Sequence, residues 1–156
     1  MKRSISLLAA GAFALSLSAV PMNGADAADG KALFGEECSA CHMAYQPFFL
    51  PKRSWITMMN GLSDHFGEDA SLDDASRRAI EAYLVANAAD RNGRMPRWLK
   101  KLPRNAAPQR ISELSWFRHE HGSRVSKWIK KHPEAGSVSN CVICHKGAER
   151  GYYDDD

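Results

Sequence analysis

All four cysteines of this chain fall in two copies of one five-residue pattern, Cys38-Ser39-Ala40-Cys41-His42 and Cys141-Val142-Ile143-Cys144-His145. C-x-x-C-H is the attachment signature of a c-type haem. The two thiols add across the porphyrin vinyl groups, and the adjacent imidazole becomes the proximal iron ligand. No thiol is left over for a disulfide or a nucleophile. The pattern therefore predicts two covalently bound haem c groups, with Cys38, Cys41, His42, Cys141, Cys144 and His145 as the cofactor-binding residues. A chain that must enclose two porphyrins has little freedom in how it builds a core.

Two plainer readings compete. Paired C-x-x-C motifs can form a four-cysteine zinc site. Such a site gives no reason for a histidine after each second cysteine, and the pairs lie about a hundred residues apart, far wider than a zinc ribbon. A C-x-x-C redox motif is usually single and set in a βαβ pattern, which this sequence lacks.

The N-terminus reads as an export signal. Met1-Lys2-Arg3 is a charged n-region, Ile5 to Val20 an apolar run, and Ala25-Asp26-Ala27 a small-residue cleavage site. The run is short and serine-diluted for a membrane span, which needs about 20 apolar residues. Cleavage near Ala27 would leave a mature chain of about 129 residues in the periplasm, the side on which c-type haems are attached. That length suits one domain, but it is short for two haems, so the cofactors must supply buried area that a small chain lacks.

Charge is unevenly spread. Residues 28–90 carry net −5, residues 91–131 net +10 and residues 132–156 net −3. A basic block of this kind can steer a partner or cover propionates, or it can be a solvated face. Nucleic acid is the wrong partner for an exported protein, and membrane contact is expected at most transiently, through a partner.

The local signals are helical throughout, so the predicted class is mainly α. A first helix runs from Asp29 to Cys41, with Leu33 and Phe34 apolar. Pro47 and Pro51 bound a loop. Lys52 to Phe66 is read as one helix with Trp55, Met59, Leu62 and Phe66 on one stripe, stopped by Gly67. Ser71-Leu72-Asp73-Asp74 resembles a capping box, opening a third helix that reaches about Ala89. Residues 90–109 contain three prolines and six basic residues, and read as a wrapping segment tied down by Met95, Trp98 and Leu102. A fourth helix starts near Ser115 and ends before Pro133, with basic residues in its last turn. The expected division is a signal peptide at 1–27, a first haem domain at 28–90 and a second haem segment at 91–156.

Each iron needs a sixth ligand or an open position. The candidates are Met58, Met59, His65, His119, His121 and His132. Met58 and Met59 sit mid-helix, where a core role suits them. His65 lies on the same face just before the Gly67 turn and is the favoured ligand of the first iron. For the second, helical spacing puts Phe117, His121, Val125 and Trp128 on one face and turns His119 to water. His132, four residues after Trp128, shares that inward direction, so spacing leaves His121 and His132 both open.

The first region, with its Gly30–Phe34 helix and the apolar helix near residues 72–89, resembles class I cytochromes c. Nearly the whole mature chain resembles a narrower family, the dihaem cytochromes c known as DHC. The matching stretches are Cys38–Tyr45 (CSACHMAY), Trp55–Leu72 (WITMMNGLSDHFGEDASL), Ile80–Asp90 (IEAYLVANAAD), Arg110–His121 (RISELSWFRHEH) and Asn140–Gly151 (NCVICHKGAERG). The resemblance implies two bis-histidine haems. It places the sixth ligands at His65 and His121, and gives His132 no counterpart. The metal ligands would then be His42, His65, His121 and His145. This sequence adds His119 beside the expected ligand.

The function that follows is electron transport, not enzymatic catalysis. Two six-coordinate low-spin haems offer no position for substrate. The resemblance implies delivery from a membrane cytochrome b or quinol-oxidising system to a soluble haem protein. The rival readings are a dihaem electron-transfer subunit of a periplasmic reductase, and a haem protein with one open iron for gas or peroxide chemistry.

Overall fold

The computed structural model describes residues 24–153, with side chains from Asp29 onward. Residues 1–23 of the expected signal peptide and the Asp154–Asp156 tail lie outside the described residues. Among the described residues, four α-helices are connected by loops and 3₁₀ turns: α1 Gly24–Ser39, α2 Lys52–Asn60, α3 Asp74–Asn87 and α4 Ser115–Lys131. Among the described residues there is no strand, only an isolated bridge between His65 and Glu68. No helix of the described residues is long and apolar enough to cross a membrane.

Helices α1 and α2 both pack on α3. The contact between α1 and α3 is close because Gly30 has no side chain. A Cβ built there would lie 2.2 Å from the Ala79 carbonyl oxygen. Phe34 of α1, Trp55 and Met59 of α2, and Ile80 and Leu84 of α3 meet in one core. Ile80 and Leu84 are fully buried, each worth about 1.5–3 kcal/mol of hydrophobic stabilisation. The core continues without a break through Leu99 and Leu114 to Phe117, so the later segment is part of the same packed body.

Backbone polar groups explain the helix ends. α3 is capped by Asp73, whose carboxylate accepts from the amides of Ala75 and Ser76. The cap is thus Asp73 and not the expected Ser71, because the chain enters the helix two residues later. α2 starts after Pro51 with no side-chain cap of its own. Its first amide, Lys52 N, donates to Asp90 Oδ1 at 2.8 Å, and Ala89 N donates to Leu50 O at 2.9 Å. These two bonds fasten the start of α2 to the end of α3 and put an anion at a helix N-terminus. Buried Trp55 of α2 reaches back to the proline-bounded loop and donates its indole N–H to Pro47 O at 2.8 Å.

Three expectations need correction. The single helix over 52–66 ends at Asn60. Gly61 ends it, a 3₁₀ turn spans Leu62–Asp64, and Phe66 and Gly67 adopt positive φ of 60° and 103°. The apolar stripe therefore stops at Met59, and Phe66 is 46% exposed. The wrapping segment is anchored by Leu99, 2% exposed, whereas the neighbouring Trp98 is 46% exposed. Arg53 adds a polar fastening, donating to the carbonyls of Ala106 and Pro103. Finally, α4 is kinked at Gly122 (φ 52°, ψ −166°), so positions beyond it no longer continue the Phe117–His121 face.

Candidate haem sites

α1 carries Cys38 near its C-terminus and delivers Cys41 and His42 into the loop that follows. Opposite stands His65. The rings of His42 and His65 have centroids 6.0 Å apart and planes inclined by 24°. They border a cavity of about 670 Å³ whose walls include Cys38, Cys41, Trp55, Met59 and Leu84. That volume is within the roughly 300–1,000 Å³ of cofactor sites. His65 is brought there by the turn after α2, not by a helical face: its amide donates to Glu68 O at 2.7 Å. Burial holds the His65 pKa below the usual imidazole value, helped by the nearby His42 and Arg110. A neutral ring is the form that binds a metal.

The second motif forms a 3₁₀ turn, Cys141–Ile143, and the His145 amide donates to Cys141 O at 2.8 Å. Across from it, α4 supplies His121. The centroids of His121 and His145 are 6.2 Å apart, with planes at 81°. A smaller cavity of about 310 Å³ adjoins His121, Phe117 and Val138.

These separations test the cofactor against the residues. Two imidazole nitrogens each about 2 Å from one metal put their ring centroids roughly 6 Å apart. Both pairs meet that condition. Tautomers agree as well. A carbonyl only accepts, so His42 Nδ1, 2.8 Å from Met43 O, carries its proton, as does His121 Nδ1, 3.0 Å from Phe117 O. Each ring thereby keeps its Nε2 lone pair for a metal.

None of the four cysteines is in a disulfide; Cys38 and Cys141 are half-buried, and Cys41 and Cys144 are exposed. Burial, reinforced by Glu37, pushes the Cys38 thiol up to about 11, and burial raises Cys141 too. Redox-active C-x-x-C pairs show the opposite, a lowered pKa. The four-cysteine zinc reading finds no support either: among the described residues no three His, Cys, Asp or Glu side chains gather as a metal site.

The other histidine candidates stand elsewhere, while Met58 and Met59 line the first cavity beside His65. His119 is exposed on α4. His132 stacks on Trp128 with centroids 4.1 Å apart and pairs with Glu134 at 2.9 Å, both rings at the surface. The inward direction expected for His132 fails because the Gly122 kink separates its half of α4 from the His121 face. Met59 is buried in the core and Met58 is half-buried beside it.

Sequence reading missed the junction between the two sites. Tyr45 lies against His42, ring centroids 5.1 Å apart, and its hydroxyl donates to Ser139 O at 2.8 Å, two residues before the second motif. Gln46 donates to Ala148 O at 2.8 Å and accepts from the Tyr153 hydroxyl, while Tyr153 meets the His145 ring edge-on at 5.7 Å. Arg110, from the later segment, reaches the first cavity and sits 3.9 Å over the Phe66 ring. The Tyr45-Gln46 pair follows the first motif closely, but its partners lie 94 to 107 residues on, beyond any local pattern.

A helical fold with two C-x-x-C-H motifs, each facing a second imidazole at metal-sharing distance, defines a c-type cytochrome with two haems. The comparisons agree. The chain matches the dihaem cytochrome c (DHC) family over residues 34–153. Among solved structures it is similar to a dihaem cytochrome c from Rhodobacter sphaeroides, at 55% identity and a TM-score of 0.70, covering 77% of this chain and 94% of that one. A second structure of DHC from that organism matches at 53% identity, TM-score 0.63 and the same coverage. A dihaem cytochrome c from Shewanella baltica OS155 matches at 34% identity and TM-score 0.65, covering 80% and 88% of the two chains. No curated protein is significantly similar in sequence. The chain belongs to the dihaem cytochrome c family. It carries two covalent c-type haems and is an electron carrier that works with redox partners, not an enzyme.

Proposed function

We propose that this protein passes electrons through two low-spin haems, each held between two histidines. Cys38 and Cys41 attach the first, with His42 and His65 as axial ligands. Cys141 and Cys144 attach the second, with His145 and His121. The observation that carries this reading is the pair of ring separations, 6.0 Å and 6.2 Å.

When bound, each haem supplies an iron that changes valence by one electron. The chain's residues do the rest. The four imidazoles would hold the two irons and leave no place for substrate, and they would favour lower potentials than a thioether. Leu84, Trp55 and Met59 wall the first cavity with apolar surface, which limits water and reorganisation on electron transfer. The exposed Cys41 and Cys144 leave one edge of each site near the surface, where a partner can approach. Tyr45, Gln46 and Tyr153 tie the two sites into one body.

The same proposal covers organisation and setting. Residues 28–90 form the class I-like first haem unit and residues 91–156 the second segment. Arg110, Ile111 and Ser139 of that segment line the first cavity, which supports a wrapping role. The signal peptide at 1–27 directs the chain to the periplasm. There it accepts electrons from a membrane cytochrome b or quinol-oxidising system and passes them to a soluble haem protein.

Carbon monoxide tests the ligand set. The reduced wild-type holoprotein should not bind it readily near neutral pH. His121→Ala should open one haem to stoichiometric binding, while His119→Ala and His132→Ala should leave both closed. Fast binding by the wild type, or opening by His132→Ala alone, would refute the assignment.

A further inference from the structure

The two histidine pairs differ in one respect that their separations hide. The ring planes of His42 and His65 are within 24° of parallel, whereas those of His121 and His145 stand at 81°. We propose that Phe117 is a positioning residue that holds the His121 ring across that of His145, making the two haem sites electronically inequivalent. This rests on the bis-histidine reading above.

Phe117 constrains His121 twice. Its ring lies flat against the imidazole, centroids 3.9 Å apart and planes within 12°. Its carbonyl oxygen accepts from His121 Nδ1 at 3.0 Å. The i, i+4 spacing on α4 puts both contacts on one helical face. A hydrogen bond on the far nitrogen orients a ligating imidazole, and the stacked ring removes rotation about the remaining axis. Phe117 is itself fixed in the core, 6% exposed, with Trp116 against its edge. At the first site, among the described residues, no ring of its own segment stacks flat on His65 as Phe117 does on His121. His42 is fixed by the Met43 carbonyl and by Tyr45, and His65 meets Phe66 at a tilt of 55°.

Ring orientation matters because an imidazole donates π density only into the metal d orbital perpendicular to its own plane. Parallel rings raise the same orbital, split the dxz–dyz pair and quench orbital angular momentum. Crossed rings raise both members about equally and leave the pair nearly degenerate. In the ferric low-spin state, the first arrangement gives a well-resolved rhombic EPR spectrum. The second gives a single, strongly anisotropic feature at high g. This lever is separate from ligand identity, which is the same at both sites.

The experiment is low-temperature EPR of the oxidised holoprotein. Wild type should show one rhombic and one high-g low-spin signal of equal spin. His65→Met should alter the rhombic signal alone, which assigns the high-g signal to the second site. Phe117→Leu, which keeps the backbone carbonyl but removes the stacked ring, should convert the high-g signal towards a rhombic one and leave the first signal in place, whereas Phe117→Tyr, which keeps the ring, should preserve it. Two rhombic signals in a wild type that excludes carbon monoxide would overturn this inference while leaving bis-histidine ligation intact. So would a high-g signal that survives Phe117→Leu unchanged. A wild type with a high-spin, carbon monoxide-binding haem would bring down both. Because the wild-type spectrum alone can refute the proposal, a Phe117→Leu chain that failed to load its haem would not shelter it.

Discussion

Gly30 and Gly35 lie five residues apart on α1, and the same substitution should act on them in opposite directions. A Cβ at Gly30 would meet the Ala79 carbonyl oxygen at 2.2 Å, the Ala79 carbonyl carbon at 2.8 Å and Tyr83 Cβ at 3.0 Å. Real Cβ atoms essentially never approach closer than 3.0 Å, so α1 and α3 must separate by most of an ångström. Backbone cannot rotate away as a side-chain tip can. Overpacking of this kind costs about 1–3 kcal/mol, partly offset by the ~1 kcal/mol that alanine gains over glycine in a helix. At Gly35 nothing lies within 4 Å of the added atom, so the propensity gain stands alone. Gly30→Ala should lower the thermal midpoint of the holoprotein by a few degrees, and Gly35→Ala should raise it by a comparable amount, at about 3–5 °C per kcal/mol for a chain of this size. The assay is thermal unfolding followed together by far-ultraviolet circular dichroism and Soret absorbance, with haem content checked first. Since α1 delivers the first motif, Gly30→Ala should also shift the first haem's potential. Equal midpoints for the two variants would refute the claim that α1 and α3 meet backbone to backbone at Gly30.

His65→Met should keep two haems per chain but raise the potential of the first, because a thioether replaces an imidazole while the attachment cysteines are untouched; unchanged potentials and spectrum, by potentiometric titration, would return His65 to a structural role. Burial raises the pKa of Tyr45, Tyr83 and Tyr153 above the ordinary tyrosine value of 10.0. Their unfolded forms therefore ionise first, so the stability they contribute is complete below about pH 10 and is lost as pH rises beyond it. Denaturant titrations from pH 8 to 11 should show that fall, with a shallower slope for Tyr153→Phe.

The fastening of segments distant in the chain shows where local pattern stops. Ala89 to Leu50, Lys52 to Asp90 and Arg53 to Pro103 are bonds between segments 38 to 50 residues apart. Their donors and acceptors are mostly backbone atoms, which every sequence possesses. The His65 turn is a similar case. Its candidacy as a site residue was readable from the H-F-G stretch. Its route to the site was not, because Phe66 takes a positive φ that a non-glycine residue adopts only when the surrounding structure holds it. His132 shows the converse, a residue placed inward by helical arithmetic that assumed an unbroken helix through Gly122.

By itself the sequence determined the chemistry: two covalent haems, their proximal histidines, the helical class and the family. Those features are encoded by residues adjacent in the chain, so covalent spacing is enough to specify them. The spacing and angle of each proposed histidine pair and the Tyr45–Gln46–Tyr153 junction were decided by tertiary structure. Each depends on where helix ends, kinks and a shared core bring groups that the chain keeps 23 to 107 residues apart. Such distances and angles are set by packing summed over the whole molecule, and no local run of residues contains them.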